Sequence, residues 1–155
     1  MEGIAFLVLG PLEVRNAGQP VPVRGARERA VLAALLLAKG RLVPIETLID
    51  ATWAGQPPYA AGKAVRNVVS ALRGRLSRAD GTGLIETGAA GYRLPLAGVY
   101  LDVVDFEQRV AEARTLAAAG NPGPAAEKLR AGAVARPGAG RDRRAGAGGG
   151  RRAAG

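Results

Sequence analysis

Between Ala60 and Arg78 the chain reads AAGKAVRNVVSALRGRLSR. Val65, Val69, Leu72 and Leu76 stand at i, i+4, i+7 and i+11, which at helical spacing makes one apolar stripe. The rest of that surface carries Lys63, Arg66, Asn67, Ser70, Arg73, Arg75 and Arg78, with no carboxylate in the stretch. Few arrangements satisfy such a helix. Its stripe must lie on a core supplied by other segments, and its cationic side must face water or a polyanion. That is the layout of a recognition helix in a DNA groove. A solvated basic face is the competing explanation. The missing acids and the hairpin that follows weigh toward nucleic acid.

Net charge alone is a poor guide. The 155 residues carry +9, yet residues 1–100 hold 12 basic and 7 acidic residues, residues 101–132 hold 4 and 5, and residues 133–155 hold 6 and 1. More than half the excess therefore sits in a Gly/Ala/Arg-rich tail, and the local charge of the 60–78 helix is the better witness. There is no Cys and no His. That removes disulfides, thiolate metal sites and thiol nucleophiles, together with the commonest general base and metal ligand. No apolar run approaches the ~20 residues that span a bilayer. The short run Ile4–Leu9, led by Glu2, does not make a signal peptide. The default expectation is a cytoplasmic chain with no membrane contact and no cofactor.

Along the chain, Ile4–Leu9, Leu12–Arg15 and Gln19–Val23 read as short strands, with turns at Gly10-Pro11 and Asn16-Ala17-Gly18. Arg27 to Ala38 predicts a helix stopped by Gly40, and Leu42-Val43 a bridging strand. Pro44 suits the first turn of a helix over Ile45 to Trp53. A loop, Ala54 to Tyr59, leads into the basic helix. Leu84–Thr87 and Gly91–Leu94 then predict a hairpin with Gly88-Ala89-Ala90 at its tip. The order describes an α+β fold, a winged helix-turn-helix with an N-terminal antiparallel sheet and a C-terminal wing hairpin. From Leu101 the pattern turns all-α. A helix opens at Asp105-Phe106, with Asp105 as its N-cap, and runs to about Ala119; a second runs from Pro124 to Arg130. This TPR-like helical hairpin is half of a repeat unit and cannot bury its face alone. The expected divisions are 1–97, 98–132 and a disordered tail, 133–155.

Other motifs favour structure over chemistry. Trp53 and Tyr92 read as packing anchors, and so few aromatics argue against single-strand binding. Gly146 to Gly150 has neither a preceding strand nor a following Lys-Ser/Thr, so it is no phosphate loop. Asp102, Asp105, Glu107 and Glu112 share one segment, but Asp105 is better placed to cap the helix than to pair for catalysis. No enzyme and no metal site are expected.

Several segments together resemble the Streptomyces antibiotic regulatory protein family of bacterial transcriptional activators. They are FLVLGPLEVR, ARERAVLAALLLAKGRLVP, ETLIDATWAGQPP, AVRNVVSALRGRL, the GYRL of the wing, and LDVVDFEQRVAEARTLAAAGNP. They match in order, spacing and type over some four-fifths of the chain. The resemblance implies an OmpR/PhoB-type winged helix followed by a helical bacterial transcriptional activation domain. It implies that Arg66 and Asn67 face base edges, that Lys63, Ser70 and Arg73 lie against phosphates, and that Thr87 and Arg93 sit on the wing near the backbone. It further implies that the loop 54–59 touches RNA polymerase and that head-to-tail pairs bind direct repeats in promoter duplexes.

The departures from that pattern are specific. The wing tip Gly88-Ala89-Ala90 lacks the usual basic residue for the minor groove. Gly62 costs the recognition helix about 1 kcal/mol of propensity relative to Ala. Thr52 replaces an apolar core residue. After Leu129-Arg130 the activation-domain pattern gives way to AGAVARPGAG, the composition that GC-rich DNA yields out of frame, and a frameshift near Ala131–Gly132 is expected. An activation-defective fragment that competes with full-length homologues is the alternative function.

Overall fold

The computed structural model describes residues 3–78 and 81–134. Strands β1 (Ile4–Leu7), β2 (Glu13–Asn16) and β3 (Gln19–Val21) form an antiparallel meander. Its tight turn puts Ala17 at φ 49° and Gly18 at φ 80°, the two positive angles a two-residue hairpin loop of matching twist requires. Every β1 side chain is buried, which makes it a core strand.

Helix α1 (Gly25–Leu37) crosses behind, burying Val31, Leu32, Leu35 and Leu36 completely. It ends at Ala38, where Lys39 and then Gly40 take positive φ. Strand β4 (Val43–Pro44) leads directly into α2 (Ile45–Trp53). A left-handed residue, Ala54, stops α2 and begins the loop to α3 (Ala61–Arg75). Strands β5 (Glu86–Thr87) and β6 (Gly91–Arg93) form the hairpin, and β4 pairs with β6 to complete a second sheet ordered β4-β6-β5. One core joins Phe6, the α1 leucines, Leu48, the α3 stripe, Leu84 and Leu94.

The structure adds an element the sequence pattern did not reveal. Strand β7 (Val99–Leu101) lies parallel to β1, so the first sheet runs β3-β2-β1-β7 and is antiparallel only over its first three strands. Helix α4 (Asp102–Ala118) follows without a break, and α5 (Pro122–Val134) packs back on it. The helix therefore starts three residues ahead of the expected Asp105 cap. Asp102 is buried, and its carboxylate accepts hydrogen bonds from the N–H groups of Val8 (2.8 Å) and Leu9 (3.2 Å). Asp105 instead pairs with Arg109 one turn on, at 3.1 Å. The expected disordered tail lies outside the described residues, apart from Ala133 and Val134, which end α5.

Candidate nucleic-acid interface

Helix α3 rests on α1 and α2 through its apolar stripe. Val65, Val69, Leu72 and Leu76 are at most 1% exposed. Burying each such side chain contributes about 1.5–3 kcal/mol, which fixes the rotation of the helix about its axis. That rotation decides what faces outward. Lys63, Arg66, Asn67 and Ser70 follow one another at i, i+3, i+4 and i+7, and all four lie on the side away from the seam. Among the described residues neither Lys63 nor Arg66 forms an ion pair, so both charges are free to meet an anion. Gly62 lies on the first turn, and a Cβ there would sit 3.7 Å from Arg66 Nη1, in ordinary contact.

Two arginines leave this outward set. Arg75 belongs by sequence to the cationic surface, but its guanidinium turns toward α1. Nη1 and Nη2 donate to the two oxygens of Glu28 at 2.5 and 2.6 Å, and Nη1 also reaches the Pro22 carbonyl. Glu28 is itself held by the Arg24 N–H at 2.6 Å. The Arg75 hydrogen bonds lower the Glu28 pKa from its ordinary value; burial opposes them, and the Arg24 N–H adds to the lowering. The packing of the helix explains this. Arg75 stands seven residues after Val68, which is itself packed against the core, so it lies at the border of the buried face. Arg73 borders the other side of the stripe. It donates to the Ile85 carbonyl at 2.9 Å and to Thr87 Oγ1 at 2.5 Å, with its guanidinium 5.6 Å from the centre of the Tyr92 ring.

The wing is short and closely fitted. Tyr92 pairs with Val43 and Thr87 across the sheet and is buried, as an anchor should be. Gly91 lies so close to the Val43 carbonyl that no Cβ fits there without moving backbone. Thr87 and Arg93 are both exposed, and Arg93 pairs with Glu86 at 2.6 Å. That exposed pair leaves Arg93 able to exchange its partner. The tip, Gly88 to Ala90, packs against Leu42 through Gly88.

The loop between α2 and α3 projects outward, with residues 54–60 all exposed. Trp53 at its start is half-buried against the core, with the Arg27 guanidinium 5.3 Å from the centre of its indole ring. Thr52 meets its polar need locally, donating to the Leu48 carbonyl at 2.7 Å. Among the described residues no helix is long and apolar enough to cross a membrane, and no cluster of acids is arranged to hold a metal ion. The tail arginines Arg141, Arg143, Arg144, Arg151 and Arg152 fall outside the described residues.

A family described as "Transcriptional regulatory protein, C terminal" matches residues 18–94. The chain is 38% identical over 93 residues to the transcriptional regulatory protein MoaR1 of Mycobacterium tuberculosis, covering 59% of this chain and 30% of that protein. It is 34% identical over 128 residues to the regulatory protein AfsR of Streptomyces coelicolor, covering 82% of this chain and 12% of that one. The solved structure of Mycobacterium tuberculosis EmbR with a low-affinity phosphopeptide superposes with a TM-score of 0.77 at 32% identity. That superposition covers 86% of this chain and 36% of EmbR. The chain spans less than a third of the length of MoaR1 and AfsR.

Proposed function

The chain belongs to the family of transcriptional regulators built on the OmpR/PhoB-type C-terminal domain, and on that premise we propose that it is a sequence-specific DNA-binding regulator of transcription. One observation carries the reading most. The fully buried seam of α3 turns Lys63, Arg66, Asn67 and Ser70 outward as one stripe. In this proposal α3 enters the major groove of promoter DNA. Arg66 and Asn67 read base edges, each worth ~1–3 kcal/mol of discrimination when bidentate. Lys63 and Ser70 lie on phosphates, and Thr87 and Arg93 rest on the neighbouring backbone. Arg73 lies at the same border, its charge still near the duplex.

The proposal extends to the rest of the chain. Residues 1–97 carry the DNA contact, and residues 98–132 begin a helical activation domain. The exposed loop 54–59 offers a surface to RNA polymerase. Two copies bind direct repeats head to tail, about one helical turn apart. The chain acts in the cytoplasm and catalyses no reaction. An activation-defective competitor is not the favoured reading, since the relatives are regulators.

The test is titration of a promoter-derived repeat duplex, followed by fluorescence anisotropy at several salt concentrations. Affinity should fall with a log–log slope of about −0.9 for each phosphate contacted. Arg66→Ala should flatten base preference, while Lys63→Ala should weaken specific and random duplexes alike. Binding indifferent to ionic strength would overturn the proposal.

A further inference from the structure

We propose that Arg73 is a positioning residue, fixing the wing against α3 so that helix and wing meet the duplex as one rigid unit; this rests on the DNA-binding reading above. Its guanidinium is engaged inside the protein on three sides. Nε holds the Ile85 carbonyl, Nη2 holds Thr87 Oγ1, and the plane lies over Tyr92. Its stem passes Gly83, where a Cβ would stand 3.7 Å from Arg73 Cγ. One side chain of α3 thus touches the approach to the wing and both of its strands.

The shared core and β4 hold the base of the wing, and Arg73 adds the side-chain polar link from α3. Among the described residues, no other side-chain hydrogen bond or ion pair joins α3 to β5 or β6. The wing cannot hold its own position, since β5 has two residues and β6 three, and hairpins of that size are marginal alone. Strand β4 ties it down on one side, through Val43–Tyr92 and Pro44–Gly91. Arg73 ties it down on the other. The chemistry calls for arginine, whose rigid fork reaches a carbonyl and a hydroxyl at once and whose face stacks on an aromatic ring. A lysine would supply the charge without the fork.

The same geometry assigns Thr87 its direction. Because Thr87 Oγ1 accepts from Arg73, its own hydrogen is free to point outward from an exposed position. A hydroxyl polarised in this way is a donor suited to a phosphate oxygen. Arg73 then acts on DNA through Thr87 and through the distance between wing and helix.

Arg73→Lys and Thr87→Val, alone and together, test this. Amide hydrogen exchange without DNA should rise about tenfold over 86–93 in Arg73→Lys, as expected for loss of hydrogen bonds to a charged group. Affinity for the repeat duplex should fall about tenfold although the charge is kept, and adding Thr87→Val should cost less than Thr87→Val costs in the parent. Unchanged exchange in the wing overturns the proposal, as does parental affinity of Arg73→Lys or additive losses in the double variant. A parent chain that ignores duplex DNA sinks the functional reading alone, while exchange still decides whether Arg73 holds the wing. Should Arg73→Lys fail to fold, Thr87→Val at its exposed position carries the same exchange test.

Discussion

Helix α3 and the α4–α5 hairpin both present an apolar stripe at helical spacing, yet they are held in different ways. The α3 stripe is Val, Val, Leu and Leu, and all of it is buried. The hairpin buries Ala113 and Ala125, while Phe106 is 50% exposed and Leu129 44%. Alanine removes little area from water, so the hairpin gains little from its own packing. It is held in place from outside. Strand β7 pairs with β1, the Asp102 carboxylate binds the Val8 and Leu9 N–H groups, and Lys39 pairs with Glu107 at 2.6 Å. Periodicity reveals a face that wants to be covered. The size of the residues on it decides whether covering them stabilises anything.

The sharpest way to break this contrast is a pair of truncations. Leu72→Ala should lower unfolding free energy in urea by about 2–5 kcal/mol. Leu116→Ala, at a half-buried position of α4, should cost under about 1.5 kcal/mol. Equal losses would mean that the hairpin is as much a core as α3. Next in size is Asp102→Ala, which strips both N–H groups of their acceptor and should cost about 1–3 kcal/mol. Hydrogen exchange should then quicken at Val8, Leu9 and through α4, with α3 unaffected. Exchange that rises evenly over the whole chain would refute the tether.

A smaller effect should follow from Glu28→Gln. Because Arg75 and Arg24 lower the Glu28 pKa from an ordinary value near 4.5, the charged pair stabilises the fold above that pH. The contribution fades as pH falls through the lowered value. Thermal unfolding of parent and variant should therefore differ at neutral pH and converge in acid. The smallest change is Gly74→Ala. Gly74 lies in the last turn of α3, and a Cβ added there would meet nothing within 4 Å, so helix propensity alone should add about 0.5–1 kcal/mol. A loss there would show that the stability of α3 is not set by its seam.

These regions also mark how far the sequence could be read. The extent of α2 was legible to the residue, because Pro44 and the apolar spacing after it are local signals. Helix α3 was legible within three residues at its end, and the wing by its Gly-Tyr-Arg-Leu run. One miss is local, since α5 starts at Pro122 and runs to Val134 where Pro124 to Arg130 was expected, and the others are long-range. Strand β7 takes its meaning from β1, with Val99 opposite Ile4, and no local pattern specifies a partner that distant. Arg75 looks like its neighbours until Glu28, 47 residues away, comes alongside. Asp105 had the better local credentials for a helix start than Asp102, whose carboxylate is occupied by the backbone that follows β1. For the candidate interface, spacing placed Lys63, Arg66, Asn67 and Ser70 on one side. It could not say that Arg73 was already engaged by the wing.

The parallel pairing of β7 with β1 bears on how the chain is made. During synthesis β1 leaves the ribosome well before Val99–Leu101, and until they emerge one of its edges has no partner. Ile4 and Phe6, both bound for the core, lie along that open edge, which can template pairing with other chains. A nascent polypeptide stalled ahead of β7 would thus be a sticky one, and the arrival of Asp102 closes the gap by claiming the backbone of Val8 and Leu9.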